Sequence, residues 1–175
     1  MIDQEACTKM ILERFGMQEA KPASTPIATG TKLVKFKDND EIMDQKLYQS
    51  IIGSEMYAIL CAQPDIGYAV QQMSQHSAQP METHLKVAKH TLRYLKGTTA
   101  MRITYGKNSG RTEVHGFCDA DHASDEDRKS ISEYVFMFNG GAISRQAKKQ
   151  QTIALSSTEA QYNALTQAAK EALWL

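Results

Sequence analysis

Cysteine is scarce in this 175-residue sequence, and Cys7, Cys61 and Cys118 form no C-x-x-C pair. An odd, widely spaced set suggests neither a disulfide framework nor a cysteine zinc site. Long apolar runs are missing too. The longest, residues 56–62, is far too short to span a bilayer. The first five residues are acidic and polar and carry no secretory signal, so a reduced intracellular compartment without membrane association is expected. Charge of one sign is not in excess: 20 Lys and Arg balance 20 Asp and Glu. That balance excludes a globally basic nucleic-acid binder and leaves room for local stripes. His76, His84, His115 and His122 lack metal-ligand spacing, and no Ser-His-Asp pattern, phosphate loop or internal repeat stands out.

What is present suits a globular chain. Hydrophobic residues make up 42% and charged residues 23%, enough to bury a core. Residues 3–16 read as a helix with Cys7, Met10, Ile11 and Phe15 at helical spacing, Asp3 as cap and Gly16 as stop. Residues 17–41 hold Pro22, Pro26 and Gly30 and read as an extended connector, long enough to be mobile or to lie on a partner. Residues 44–97 read as three helices. The first is marked by Leu47, Ile51, Ala58 and Ala62. The second starts at Pro64 and carries Ile66, Ala69, Val70 and Met73. The third is capped by Thr83, with Leu85, Ala88, Leu92 and Leu95 as its seam and Gly97 as its end.

The period then changes. Residues 102–105 and 113–119 read as a hairpin about a turn at 108–110. Residues 133–139 form a strand, Gly140-Gly141 a turn, and residues 142–145 the start of another strand. Ser156 opens a helix to the last residue. The expected fold class is α+β: helices first, then an antiparallel sheet with a closing helix. The expected divisions are 1–43 (helix and linker), 44–100 (helical segment) and 101–175 (sheet and closing helix).

Three constellations could carry chemistry. Lys86, Lys89, Arg93 and Lys96 recur at helical spacing beside the apolar seam, a stripe that could follow a phosphate backbone or simply be a solvated helix face. Asp119, Asp121, Asp125, Glu126 and Asp127 crowd a short segment. In a continuous strand Asp119 and Asp121 share a side and could hold a hard cation such as Mg²⁺, while the plainer reading is an acidic loop. Ser156-Ser157-Thr158-Glu159 is a capping box. On that helix Glu159, Asn163, Thr166 and Lys170 line a polar face, and Ala164, Leu165, Ala168, Ala169 and Ala172 an apolar one. Gln161 falls within the apolar face and needs a partner there.

The ordered motifs resemble a copia-type retrotransposon polyprotein. Asp119-Ala120-Asp121-His122-Ala123, Asp127-Arg128-Lys129-Ser130, Tyr134-Val135-Phe136, Lys148-Lys149-Gln150 and Ala154-Leu155-Ser156-Ser157-Thr158-Glu159-Ala160 look like the beginning of its ribonuclease H domain. Tyr48-Gln49-Ser50-Ile51-Ile52-Gly53-Ser54, Pro64-Asp65-Ile66 and Leu92-Arg93-Tyr94-Leu95-Lys96-Gly97-Thr98 resemble the thumb or connection segment after the polymerase. Ile11-Leu12-Glu13-Arg14-Phe15-Gly16-Met17, followed by Thr25-Pro26, looks like the stretch just after the palm.

The resemblance implies a ribonuclease H-like fold that cuts the RNA strand of RNA–DNA hybrids with a carboxylate cluster and two Mg²⁺ ions. Its first carboxylate maps onto Asp119. The family's Ser-Thr-Glu-Ala-Glu-Tyr reads Ser157-Thr158-Glu159-Ala160-Gln161-Tyr162 here, so the second catalytic position is Gln161, with Glu159 as the alternative. The family's Trp after Asp-x-Asp is His122, and its Ser-Trp is Ser144-Arg145. The polymerase's Tyr-Val-Asp-Asp motif is absent. So are the later elements that would carry two more aspartates, and without them the first strand keeps an unpaired edge. The implied reading is a fragment that does not cut RNA alone. Three others stay open: a hybrid-binding module using the α-helical stripe with Arg145, Lys148 and Lys149, a nuclease completed in trans by the missing polymerase or C-terminal ribonuclease H portion, and a degenerate product without a role. The implied setting is a cytoplasmic virus-like particle or the nucleus.

Overall fold

The computed structural model describes residues 2–37, 40–61, 63–106, 113–123 and 127–175. The fold class is α+β: the described residues form five α-helices, a two-stranded pairing and a three-stranded antiparallel sheet. The chain divides into two compact units, Ile2–Arg102 and Ile103–Leu175. No helix of the described residues is long and apolar enough to cross a membrane.

In the first unit β1 (Ile2–Asp3) leads into α1 (Glu5–Arg14). The expected Asp3 cap is not used: Gln4 holds the N-cap position without a side-chain bond, and Asp3 pairs in β1 with β2 (Arg102–Ile103). The stop is as expected. Gly16 takes φ +64°, its N–H bonds the Glu13 carbonyl at 3.0 Å, and the Met17 N–H bonds that of Leu12 at 2.7 Å. This is the Schellman closure, which favours a residue without Cβ at that position.

Helix α2 (Gln45–Cys61) starts at Asp44, whose carboxylate accepts the Leu47 N–H at 3.0 Å. Its buried face is Tyr48, Ile51, Ile52, Glu55 and Ala58, while Leu47 is exposed. Tyr48 displaces Leu47 from the core because its hydroxyl finds the Met73 carbonyl at 2.8 Å. Ala62 lies outside the described residues. Pro64–Ile66 forms a 3₁₀ turn that runs into α3 (Gly67–Ser74), with Ile66, Ala69, Val70 and Met73 buried as expected.

Helix α4 (Glu82–Gly97) buries Leu85, Ala88, Leu92 and Leu95. Its cap is not Thr83. Met81 is the N-cap residue, and its backbone N–H donates to His84 Nδ1 at 3.0 Å. The connector lies along this helix. Ala23 N–H bonds the Arg93 carbonyl at 3.2 Å, Thr91 donates to the Pro26 carbonyl at 3.0 Å, and His84 Nε2 meets the Val34 carbonyl at 2.9 Å. A segment without regular structure thus finds partners for some of its backbone groups on α4, one on its backbone and two on its side chains.

In the second unit the strand order is β3 (His115–Asp121), β4 (Ile131–Phe138), β5 (Gly141–Lys149). The expected hairpin between 102–105 and 113–119 does not form. Arg102–Ile103 pairs with β1, and β3 pairs with β4. The turn at 108–110 and the residues Asp125 and Glu126 lie outside the described residues. Strands β4 and β5 join through Asn139 (φ 47°) and Gly140 (φ 83°), both left-handed, as a two-residue hairpin turn requires. Residues 151–155 form no strand.

Helix α5 (Ser157–Trp174) begins at Ser156, which accepts the Glu159 N–H at 3.1 Å. It packs on β3 and β4. The buried stripe is narrower than expected: Ala160, Ala164 and Ala168 are covered, while Leu165, Ala169 and Ala172 are exposed. Ala160 and Ala164 let the helix come close to Ala120 and Ala154. Gln150 anchors this corner, donating to the Ser132 hydroxyl at 2.8 Å and to the Ala160 carbonyl at 2.9 Å.

Candidate functional site

Asp119 sits near the end of β3, beside the buried Ala120. Alternation along the strand turns Asp119 and Asp121 to one side and Ala120 to the other, under α5. Both aspartates are exposed. Gln161 lies in the first turns of α5, next to the buried Ala160, and its Nε2 donates to Asp119 Oδ1 at 2.5 Å. The same oxygen accepts the Ala120 backbone N–H at 2.8 Å. These two donors hold the Asp119 carboxyl below its ordinary range, Gln161 first, against a small opposing effect of burial.

Glu159 is engaged elsewhere. Its Oε2 accepts the Leu155 N–H at 2.7 Å, so its carboxylate completes the start of α5. The structure therefore brings Gln161, and not Glu159, to Asp119. Gln161 is not inside an apolar face, as its place on the helix suggested. It is exposed at the margin of the alanine stripe and finds its partner across the sheet edge.

Glu133 escaped the sequence reading. It stands directly opposite Asp119 in the β3–β4 register and is half-buried. Its Oε1 is buried without a hydrogen-bond partner. Burial, then the charges of Asp119 and Asp121, push its carboxyl up. A lone acid before the run 134–138 was the visible signal. The register that gives it a neighbour is set across residues 122–130, where no short turn fixes the pairing.

A pair of Mg²⁺ ions needs several converging anionic oxygens. Among the described residues no three or more His, Cys, Asp or Glu side chains gather closely enough to hold a metal ion. Asp119 Oδ1 already accepts two N–H donors, and its nearest side-chain partner is a neutral amide. These donors do not fit the two-Mg²⁺ arrangement that the sequence resemblance implied.

The cations are distributed. Lys86 pairs with Glu82 at 2.8 Å, both exposed, and Lys89 is exposed. Arg93 and Lys96 are half-buried, and Arg93 Nε donates to the Lys21 carbonyl at 2.6 Å. His90 Nε2 meets the Thr25 carbonyl at 2.9 Å, so the connector covers part of the stripe. On β5, Lys148 is exposed while Lys149 pairs with Asp127 at 2.9 Å. Neighbouring strand residues point to opposite faces, so Lys148 and Lys149 do not form one patch.

Comparison with known proteins gives the family. The chain is 43% identical over 183 residues to the retrovirus-related Pol polyprotein from transposon TNT 1-94 of Nicotiana tabacum, covering 99% of this chain and 13% of that protein. It is 34% identical over 175 residues to the Pol polyprotein from transposon RE2 of Arabidopsis thaliana, covering 99% of this chain and 12% of the relative. The chain belongs to the copia-type retrotransposon Pol polyproteins. It spans about an eighth of the length of these two relatives. It is also 43% identical over 129 residues to secreted RxLR effector protein 161 of Plasmopara viticola, covering 73% of this chain and 90% of that protein. No family model and no solved structure matches.

Proposed function

We propose that this chain is the part of a copia-type Pol polyprotein that runs from just after the polymerase palm into the start of a ribonuclease H-like domain, and that it does not cleave RNA by itself. The observation that carries this reading is the bond from Gln161 to Asp119. The sequence resemblance expects a glutamate at this place on the helix, facing the first aspartate. A neutral amide supplies none of the charge that would hold a cation there, and it uses the aspartate oxygen as its own acceptor. The parent activity is RNA-strand cleavage of RNA–DNA hybrids. The proposed partners are such a hybrid and the remaining polymerase or ribonuclease H portions of the polyprotein.

The test is cleavage of a labelled RNA–DNA hybrid with Mg²⁺ and with Mn²⁺ by the chain and its Asp119→Asn and Gln161→Glu variants. No product from the unmodified chain is expected. Cleavage that disappears in Asp119→Asn overturns the reading.

A second reading is a non-catalytic hybrid-binding module. It is favoured by Lys86 and Lys89, which stand exposed on α4. Hybrid affinity that falls steeply with salt supports it, and affinity indifferent to salt removes it.

A further inference from the structure

We propose that the connector and α4 together form one cationic face for the phosphate backbone of a nucleic-acid duplex, and that the bound backbone closes the connector onto the helix. This rests on the hybrid-binding reading above and adds to it the connector's side chains and a coupling. Residues 17–37 carry four lysines against Glu19, and α4 carries three lysines and Arg93 against Glu82. The whole chain is neutral, so its remainder is acidic in balance.

The connector runs antiparallel to α4. Lys21 and Ala23 meet Arg93, Thr25 meets His90, Pro26 meets Thr91, and Val34 meets His84. From His84 to Arg93 the helix rises roughly 14 Å. At about 100° per residue, Lys86, Lys89, Arg93 and Lys96 fall within about 80° of one another. The buried seam lies to one side of them, and His90, Thr91 and His84, which hold the connector, lie to the other. These bonds use the connector's backbone. Its lysines Lys21, Lys32, Lys35 and Lys37 are all exposed.

Like charges are therefore held together, and Arg93 itself binds the carbonyl of a lysine. Among the described residues Glu82 pairs with Lys86, but no carboxylate pairs with Lys21, Lys32, Lys35, Lys89, Arg93 or Lys96. Repulsion between connector and helix opposes the fastening. A duplex carries one phosphate per about 3.4 Å of each strand, so roughly four phosphates of one strand face that length of helix. Phosphates set between the two groups of cations replace repulsion by attraction on both sides. Binding and fastening then favour each other by the same factor. Salt acts on them in opposite directions. In the free chain it screens the repulsion and tightens the connector, whereas it weakens the hold on the backbone.

The test is amide hydrogen exchange of residues 17–37 in the whole chain, with and without a labelled RNA–DNA hybrid, beside hybrid affinity by fluorescence anisotropy as salt is raised. In the free chain, exchange of the Ala23 N–H is expected to slow about twofold between about 20 and 300 mM salt. Saturating hybrid at low salt is expected to slow it about tenfold. Lys32→Gln combined with Lys35→Gln is expected to make the slope of log affinity against log salt shallower by about 1.8. Thr91→Val removes the Pro26 fastening and no charge. It is expected to keep the slope, speed exchange in the connector and raise Kd about threefold. Thermal melts verify that each variant folds. A slope that Lys89→Ala makes shallower and the connector substitutions leave alone keeps hybrid binding on α4 and overturns this proposal. So does hybrid binding that leaves connector exchange unchanged, or equal protection by poly-glutamate of the same charge, which would make any polyanion the ligand. A hybrid that does not bind at about 50 mM salt removes the underlying reading and this proposal with it.

Discussion

Gln161 on α5 and Asp119 on β3, 42 positions apart in sequence, meet in a 2.5 Å hydrogen bond. Together with the Ala120 N–H, it keeps the aspartate ionised below the usual carboxylate range. Gln161→Glu removes a donor and puts a second carboxylate beside the first. The expected result is an Asp119 pKa that rises in the variant, read by NMR titration of its side-chain carbon. Asp119 is exposed, so the shift is expected to shrink as salt is raised. An unchanged Asp119 titration in Gln161→Glu would mean that the bond does not set the carboxyl's acidity.

Glu55 is the one acid wholly inside the first unit's core among the described residues, and neither carboxyl oxygen has a hydrogen-bond partner. Burial raises its pKa well above the ordinary 4.5. Between those two values the unfolded chain releases the proton while the folded chain keeps it. Stability present below about pH 4.5 is therefore lost as pH rises toward the folded value. Glu55→Gln cannot ionise. Relative to the unmodified chain it is expected to gain roughly 1–3 kcal/mol between pH 5 and pH 8, measured by urea unfolding at each pH.

His84 carries the opposite slope. Its Nδ1 accepts the Met81 N–H, which leaves Nε2–H to donate to the Val34 carbonyl. Burial lowers its pKa from 6.5 and outweighs the Val34 bond, which favours the charged ring. Protonation would remove the acceptor at the start of α4. Stability is thus expected to fall as pH drops below about 6.5. His84→Ala is expected to cost about 1–2 kcal/mol at pH 7.5 and to lose part of this acid sensitivity in the same unfolding experiment.

Helices in this chain were legible because their signals are local. Ile66, Ala69, Val70 and Met73 repeat at helical spacing, and all four are buried. Gly16 and Ser156 mark a stop and a start through bonds within a few residues. What misled was non-local. Arg102–Ile103 was read with the nearest later strand, and its partner is Ile2–Asp3, about a hundred residues earlier. The His84 cap was invisible because histidine lies outside the usual capping set, and it is held by Val34 from the connector. The Asp119–Gln161 pairing was half-legible: helix phase pointed Gln161 toward the sheet, and the family resemblance matched it to Asp119. Glu133 needed the β3–β4 register, which no turn residue announces.

The stripe on α4 divides into side chains with different work, and that division can be measured. Arg93 Nε holds the Lys21 carbonyl while its own carbonyl accepts the Ala23 N–H, so Arg93 fastens the connector to the helix at two points. Lys89 is exposed on the same helix. If α4 follows a phosphate backbone, Lys89→Ala is expected to remove about one counterion-releasing contact. The slope of log affinity against log salt then becomes shallower by about 0.9 in duplex-like geometry. The same variant is expected to leave limited proteolysis of residues 17–37 unchanged. Arg93→Ala is expected to do the reverse first: it frees the connector and speeds cleavage there, whatever it does to binding. The two readouts separate a phosphate contact from a fastening of the fold. A Lys89→Ala variant with an unaltered salt slope would remove α4 from the binding surface. An Arg93→Ala variant cut no faster than the parent would show that the connector is held by Thr91, His90 and His84 without it.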